Sequence, residues 1–540
     1  MVAARAPAEQ AVPTPDPVGA IPRQYNFTFD LFSDRDLAWS QKTAFIDAKR
    51  TWTYGEVYDL SEQFALYLDG IARPEERVLI CLPDCVEWVG AFLGTLMSGR
   101  VAVPVNTLMT EDDYRFMYDD CRPRILVVSE ELYPKFEKII AKEFTYYLTV
   151  IVLGKDTRGH TSFSNATTGN SVRGPYMPRP TTRDSIAFWL YTSGSTGKPK
   201  AAVHTHADLR LTNDLYAGPI LGLTGDDVVF SVAKLFFAYG LGNALTFPMS
   251  VGATTVLLPD RPTPDAVATL LKTHGVTAFF AVPTFYAAFL ASRNAPQRSE
   301  LKLRRCVSAG EALPEDIGKR WLERYGVDIL DGIGSTEMLH IFLSNRPGDV
   351  KYGTTGKPVP GYDVKLVDDD GVAVNRGEMG ELLVRGPTSA MMYWNNREQS
   401  RSTFLGEWTR SGDKYIEDQD GYFVYCGRRD DMLKVSGQYV SPFEVEAALQ
   451  THSDVLEAAV VAWPDGDGLI KPKAFVVLKS REKAADPKAS DAMSRALQDH
   501  VKAKLAPYKY PRWIEFRGDL PKTATGKIQR FKLRAEGPPR

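Results

Sequence analysis

Between residues 78 and 128, short apolar runs alternate with segments of helical spacing, with strands at 78–82, 101–105 and 125–128 and helices at 85–97 and 112–119. Strands separated by a helix-length crossover join in parallel, so this alternation demands a mostly parallel sheet flanked by helices. A second series predicts a second, related sheet, with strands near 228–232, 254–258, 278–282, 306–309 and 328–330 and helices such as 264–274 and 314–325. From about 361 to 429 the strands shorten, and turn signals such as Asp368-Asp369-Asp370-Gly371 and Asp420-Gly421 interrupt them, as in a small β-rich subdomain. Beyond Asp430 the order is helix 444–450, strands 458–462 and 474–478, helix 491–505, then a Lys-rich tail. The expected fold is α/β: a large N-terminal domain over 25–429 with two parallel-rich sheets and the β-rich subdomain, then a small mobile α+β domain over 430–540. Residues 1–24, rich in Ala and Pro and without the pattern of a secretory signal, read as a disordered arm.

Bulk properties narrow the function. A formal net charge of -2 over 540 residues gives no whole-chain attraction to nucleic acid or to an anionic membrane, so neither is expected as a partner. No apolar run approaches the roughly 20 residues that span a bilayer. Cys81, Cys85, Cys121, Cys306 and Cys426 are odd in number and scattered through apolar runs, as reduced core thiols of a cytoplasmic protein would be. Cys81 and Cys85 have no second ligand pair, which disfavours zinc, and His204 and His206 are assigned to a strand rather than to a metal.

One loop carries phosphate chemistry. Thr192, Ser193, Gly194, Ser195, Thr196, Gly197, Lys198, Pro199 and Lys200 follow an apolar strand at 185–191, so the loop leaves a sheet edge. Its glycines let backbone N–H groups approach an anion, its hydroxyls add donors and its lysines add charge. The Walker A pattern is absent, because Pro199 follows Gly197-Lys198 and the earlier glycine is missing, and a Ser/Gly surface linker is the plain alternative.

Other positions suit the same ligand. Glu337, in a turn after a strand, has a carboxylate suited to a Mg²⁺ that bridges phosphate oxygens. Asp413 suits the hydroxyls of a ribose, or is a turn aspartate. The charged run 427–434 is a candidate connection or a solvated linker, and Lys527 ends a turn able to carry a cation to a distant site, although most terminal lysines only solvate.

In this order and spacing the chain resembles the adenylate-forming superfamily of acyl-CoA synthetases, firefly luciferase and nonribosomal peptide adenylation domains. Within it, Asp331-Gly332-Ile333-Gly334-Ser335-Thr336-Glu337-Met338-Leu339-His340-Ile341-Phe342, together with residues 233–240 and 505–511, looks like the benzoate–CoA ligase branch. The resemblance covers nearly the whole chain after about Asn26. It implies two steps: a carboxylate attacks the α-phosphate of ATP to give an acyl adenylate and pyrophosphate, and the coenzyme A thiol then displaces AMP. By motif match, Lys527 would bridge the carboxylate and the α-phosphate, Thr336 would contact that phosphate, and Glu337 would hold Mg²⁺. Residues 192–200 would grip the β- and γ-phosphates, Asp413 and Arg428 the ribose. Gly310, Glu311 and Ala312 would line the adenine, with Asp331, Gly332 and Ile333 in the same nucleotide site. Many relatives place an aromatic residue where Ile333 stands, so adenine stacking is replaced by apolar contact. The resemblance also implies a hinge at Asp430, around which the small domain withdraws Lys527 and presents Lys434, Ser436 and Gly437 to the thiol arm. It further makes Lys527 a target for a lysine acetyltransferase, because acetylation removes the charge the first step needs.

The acyl group is expected against Phe237, Ala238, Tyr239, Gly240, Gly334, His340 and Ile341, together with Ile333; these are flat apolar walls with small gaps that suit a planar ring. No Asp lies within 234–240 to anchor an α-ammonium group, so an aminoacyl substrate is disfavoured. His340 either hydrogen-bonds a ring hydroxyl, favouring a hydroxybenzoate, or packs at the ring edge. Loading of a carrier protein, another small carboxylate, a luciferase-type oxygenation and a non-catalytic nucleotide-binding regulator are the competing readings. The chain is expected to be a monomer or a homodimer.

Overall fold

In the computed structural model, residues 17–33, 36–142, 148–169, 176–193, 199–435, 438–465, 469–480, 487–522 and 528–536 are described. Among these, the first strand series forms a seven-stranded sheet in the order Thr161–Ser162, Thr149–Leu153, Ile125–Ser129, Arg77–Cys81, Val101–Pro104, Ile186–Ser193, Pro199–Thr205. All neighbours pair in parallel except the last two strands, which are antiparallel. Ile186–Ser193 and Pro199–Thr205 pair antiparallel at the end of this sheet, on either side of residues 194–198, which lie outside the described residues. The crossover helices begin where side chains satisfy their first N–H groups. Thr110 accepts from the Asp113 amide, and Asp113 returns a bond to the Thr110 amide at 3.1 Å, starting Glu111–Cys121 ahead of the expected 112.

The second series forms a nine-stranded sheet whose middle is parallel: Thr43–Ile46, Thr254–Val256, Val228–Ser231, Ala278–Ala281, Arg305–Ser308 and Ile329–Gly334. Ile341–Ser344 and Lys357–Pro358 extend it antiparallel at one side, and Thr51–Thr53 at the other. Thr43–Ile46 reaches this sheet from far upstream, which periodicity alone does not disclose. The helix Val86–Met97 is buried at every position except Glu87, as its nearly continuous apolar sequence requires. It shares one core with Val78 and Ile80 of the first sheet and with Phe45 and Leu257 beside the second. At about 1.5–3 kcal/mol per fully buried large apolar side chain, this shared layer is what fixes one sheet against the other.

Residues 363–428 form the expected β-rich unit, an antiparallel sheet of Asp363–Val367, Met379–Arg385, Trp408–Glu417, Phe404–Leu405 and Phe423–Arg428, with one helix, Arg397–Thr403. The C-terminal part holds the hairpin Leu433–Val435/Gln438–Val440 and a three-stranded sheet, Val455–Pro464, Ile470–Leu478 and Trp513–Phe516, flanked by Pro442–Gln450, Pro487–Lys502 and Arg530–Ala535.

Two expectations change. Residues 17–24 fall in the expected arm, yet Ile21 is buried and Arg183 Nη1 donates to the Val18 and Ile21 carbonyls at 2.9 and 2.7 Å, because this stretch has an apolar residue to dock and backbone groups to satisfy. His206 starts the helix His206–Thr212, and only His204 lies on a strand. All five cysteines are buried free thiols. Among the described residues, no helix is long and apolar enough to cross a membrane.

Candidate functional site

Hairpin register places Thr192 directly opposite Lys200, and it is the lysine that reaches the next station. Lys200 Nζ donates to the Tyr393 hydroxyl at 2.7 Å and lies 3.6 Å from Glu337 Oε1, while the same hydroxyl donates to that Oε1 at 2.5 Å. The Lys200 ammonium also sits 4.2 Å from the centre of the Tyr393 ring. Tyr393 is held because residues 391–394 add themselves to Pro199–Thr205: Val203 N–H donates to Met392 O at 3.0 Å and Trp394 N–H to Ala201 O at 2.9 Å. Trp394 then packs on Trp189 at 4.4 Å. Burial pushes the Glu337 carboxyl up, but Lys200, Tyr393 and Arg428 together outweigh it and hold the group below the usual carboxylate range. Glu337 is thus an ionised carboxylate at neutral pH. Burial, reinforced by Arg428 and opposed by Glu337, lowers Lys200. Sequence reasoning missed Tyr393, which stands 193 residues from Lys200 in a stretch without motif character. Gly194, Ser195, Thr196, Gly197 and Lys198, with the Ser193 side chain, lie outside the described residues.

The turn carrying Glu337 is over-determined by bonds from three directions. His204, whose Nδ1 pairs with Asp208 at 2.8 Å, places Nε2 2.7 Å from the Thr336 carbonyl; the Ala390 amide donates to the Glu337 carbonyl at 2.7 Å, and the Thr388 hydroxyl to the Met338 carbonyl at 2.8 Å. Gly334 ends the strand so tightly against its partner that a Cβ there would lie 2.4 Å from the His340 carbonyl oxygen. A side chain at 334 would therefore force the hairpin open. Just upstream, Asp331 pairs in register with Ser308. Asp331 is buried, its Oδ1 has no hydrogen-bond partner, and burial raises it well above the carboxylate range despite the Leu313 amide and Ser308. An unpaired buried acceptor of this kind suits a ligand that brings a donor, such as an exocyclic amine. Gly310, Glu311 and Ala312 follow the neighbouring strand Arg305–Ser308 at the same end of the sheet, and Gly332 and Ile333 continue the Asp331 strand, with Ile333 half-buried.

Asp413 and Arg428 face each other across the antiparallel pair Trp408–Glu417/Phe423–Arg428. Arg428 Nη1 lies 3.2 and 3.3 Å from the two Asp413 oxygens. The carboxylate is buried, while the Arg428 side chain is 57% exposed, so the guanidinium remains open to a ligand. Asp413, more than any other group, raises Arg428 above its ordinary range.

On the acyl side, Phe237 caps the short helix Ala238–Leu241. Gly240 is required there for packing: a Cβ would lie 2.0 Å from the Lys234 carbonyl oxygen, so its position serves the wall by letting the backbone turn back on itself. That turn is pinned from the other sheet. Asp84 Oδ1 accepts from the Leu235 amide at 3.1 Å, and Lys234 Nζ, 3.9 Å from Asp84 Oδ2, donates to the Asp260 carbonyl at 2.8 Å. Burial pushes Asp84 up to about 6, against Lys234 and the Leu235 amide. This acid was not legible within 234–240, and its burial against Lys234 gives no anchor for an ammonium group. The Tyr239 hydroxyl points at the Val307 and Ala281 carbonyls, 3.3 and 3.4 Å away. His340 is 3% exposed and enclosed by rings, with Phe247 at 4.4 Å, Tyr216 at 5.4 Å and Tyr239 at 5.7 Å between centroids. Burial lowers it to about 3, although the Tyr239 backbone opposes, so the imidazole is neutral. Neither ring nitrogen makes a hydrogen bond of normal geometry, and the Cδ2–Nε2 edge faces the Gly242 backbone, where a Cβ would lie 2.5 and 2.7 Å from those atoms. Ile341 is buried in the adjoining strand.

Asp430 falls in the turn Arg429–Asp431 and Lys434 in the strand Leu433–Val435, with both side chains outside the described residues; Ser436, Gly437 and Lys527 lie outside them entirely. Among the described residues, no group of three or more His, Cys, Asp or Glu side chains converges to hold a metal. The lone ionised Glu337 instead fits a Mg²⁺ that takes most of its ligands from water and substrate phosphates.

Comparison with known proteins gives the family. The AMP-binding enzyme family matches residues 32–394, and the AMP-binding enzyme C-terminal domain matches residues 444–527. The benzoate–CoA ligase of Thauera aromatica is 54% identical over 96% of this chain and 97% of its own length. The 4-hydroxybenzoate–CoA/benzoate–CoA ligase of Rhodopseudomonas palustris is 47% identical over 95% of this chain and 94% of its own. The crystal structure of a benzoate CoA ligase from Burkholderia xenovorans superimposes with a TM-score of 0.88 at 50% identity, covering 94% of this chain and all of that one. The chain belongs to the AMP-binding enzyme family, in its benzoate–CoA ligase branch.

Proposed function

We propose that this chain ligates benzoate to coenzyme A at the expense of ATP, by way of benzoyl-AMP. The observation that carries the choice of acid is His340: a neutral imidazole walled by Phe247, Tyr216 and Tyr239, with its Nε2 edge turned to the Gly242 backbone. His340 adds a neutral ring edge to a largely apolar aromatic wall, and its two nitrogens lack a partner among the described residues. The choice of benzoate rests on that wall together with the 54% identity to a benzoate–CoA ligase.

In the first step one anion approaches another, so the chain's work is to align and neutralise. Thr192 and Lys200 bring the hairpin to the phosphates, and Asp413 with Arg428 takes the ribose hydroxyls. Asp331 accepts from the adenine amine, with Ile333 against its face. Tyr393 orients the Glu337 carboxylate, which would hold the Mg²⁺. Mg²⁺, when bound there, supplies charge neutralisation on those oxygens. Lys527 reaches in from the small domain to join the benzoate carboxylate to the α-phosphate, and pyrophosphate leaves. The small domain, over 430–540, then turns at Asp430 to present residues 434–439, and the coenzyme A thiolate displaces AMP. Acetylation of Lys527 would stop the first step alone. Chemical acetylation with peptide mapping should show loss of pyrophosphate exchange in proportion to modification at Lys527, and full exchange by protein acetylated there would dismiss the idea.

A panel of aryl and alkyl acids, read as AMP release with ATP, Mg²⁺ and coenzyme A, tests the substrate. Benzoate should lead, with 4-hydroxybenzoate slower. His340→Ala should lower both rates without changing their ratio by more than about threefold, since no bond to a hydroxyl is lost. A selective collapse of 4-hydroxybenzoate turnover in that variant would restore the hydroxyl-binding reading.

A further inference from the structure

The helix Arg530–Ala535 begins three residues after Lys527, and its first side chain is fixed with unusual completeness. Arg530 reaches Glu446 Oε1 from Nε at 3.1 Å and from Nη2 at 2.9 Å, and Oε2 from Nη2 at 2.6 Å. Glu446 lies on the helix Pro442–Gln450 with its side chain 4% exposed, and its Oε1 also accepts the Val460 amide at 2.7 Å. One carboxylate therefore joins that helix, the strand Val455–Pro464 and the C-terminal helix. Arg530 Nη1 lies 4.0 Å from Asp431 Oδ2, and Arg534 Nη1 donates to Asp431 Oδ1 at 2.8 Å, so the same helix grips the residue that follows Asp430.

The other end of segment 523–527 is tied down as firmly. Lys522 Nζ bonds both Glu457 oxygens at 2.8 Å, Lys522 and Ile528 form an antiparallel bridge, and the Gln529 amide donates to the Pro521 carbonyl at 2.8 Å. The chain therefore enters and leaves this segment at one anchored root. Arg530 is the member of that root that reaches into the body of the small domain and toward the turn Arg429–Asp431.

We propose that Arg530 is a positioning residue for Lys527: its fork on Glu446 fixes the root of the lysine's turn to the small domain and to Asp431, so that rotation at Asp430 is delivered to the lysine without slack. This rests on the reading of Lys527 as the adenylation lysine. A planar guanidinium with several donors sets direction as well as distance, which an ammonium cannot reproduce.

The two half-reactions separate positioning from mere structure, because Lys527 serves only the first. Arg530→Lys keeps the charge beside Glu446, and the double variant R530M/E446Q removes both charges so that no buried carboxylate is stranded. Both should lose at least about 30-fold in kcat of benzoate-dependent ATP–pyrophosphate exchange, with KM for ATP and benzoate within about twofold. Thioester formation from supplied benzoyl-AMP and coenzyme A should stay within about threefold of wild type. Exchange at wild-type rate in both variants overturns the proposal, and so does equal loss in both half-reactions, which would make the clasp part of the fold only. Lys527→Ala runs alongside. If it abolishes exchange while R530K does not, the clasp alone is wrong; if it leaves exchange intact, the reading of Lys527 is wrong and the clasp goes with it.

Discussion

Replacing Tyr393 by Phe removes one oxygen atom from the site and leaves the ring, the Trp394 packing and the 391–394 pairing in place. That oxygen makes two charge-assisted bonds, accepting from Lys200 at 2.7 Å and donating to Glu337 at 2.5 Å. Without it, the nearest cation to Glu337 Oε1 is the Lys200 ammonium, 3.6 Å away. A hydrogen bond to a charged group is worth about 1.5–3 kcal/mol, and each 1.4 kcal/mol is a factor of ten, so kcat/KM for ATP should fall roughly 10- to 150-fold. The loss should appear in adenylation, read as benzoate-dependent ATP–pyrophosphate exchange, and KM for benzoate should stay within about twofold, because no acyl wall is touched. The cation–ring contact at 4.2 Å survives, so the melting temperature should change little. Exchange within twofold of wild type would show that Lys200 and Glu337 hold their places without the hydroxyl. A loss confined to KM for benzoate would show that Tyr393 acts on the other substrate.

Two further outcomes follow from the geometry. Burial raises Asp84 to about 6, so between its unfolded value near 4 and pH 6 the folded chain binds more protons than the unfolded one, and this group adds stability as pH falls through that window. Asp84→Asn, which keeps an acceptor for the Leu235 amide, should remove that dependence. Measured by denaturant unfolding, the stability difference between variant and wild type should move by up to about 3 kcal/mol between pH 7 and pH 4, the variant gaining at pH 7; a difference independent of pH would refute the assignment. Asp430→Pro, which restricts rotation at the turn Arg429–Asp431, should slow thioester formation from supplied benzoyl-AMP by at least about tenfold. Normal thioester formation by that variant would mean that the hinge lies elsewhere.

Local order was legible in the sequence where one element carries its own signal. The crossover series around Val86–Met97 and the turn at Gly334 each follow from spacing or from a turn residue's conformational demands, whereas the cross-strand pairing of Asp413 with Arg428 emerges only in the folded sheet. What escaped depends on long-range contact. Thr43–Ile46 joins the second sheet through pairing with Thr254–Val256, some 200 residues on, which no local pattern encodes. Tyr393 and Asp84 look like an ordinary loop aromatic and an ordinary turn acid, and they acquire roles only once Pro199–Thr205 and the Lys234 turn are brought against them. His340 was readable as an aryl-pocket residue, but its edge-on placement against Gly242 is a product of packing that no local pattern encodes.

The central claim is that an aryl adenylate lies between benzoate and its thioester. A single-turnover reaction of the protein with benzoate, ATP and Mg²⁺, quenched before coenzyme A is added and read by mass spectrometry, tests it directly. Benzoyl-AMP should form in amounts stoichiometric with the protein, and coenzyme A should convert it to benzoyl-CoA with release of AMP. Benzoyl-CoA formed with ADP and phosphate as the nucleotide products, or with no benzoyl-AMP before coenzyme A is present, would contradict the account.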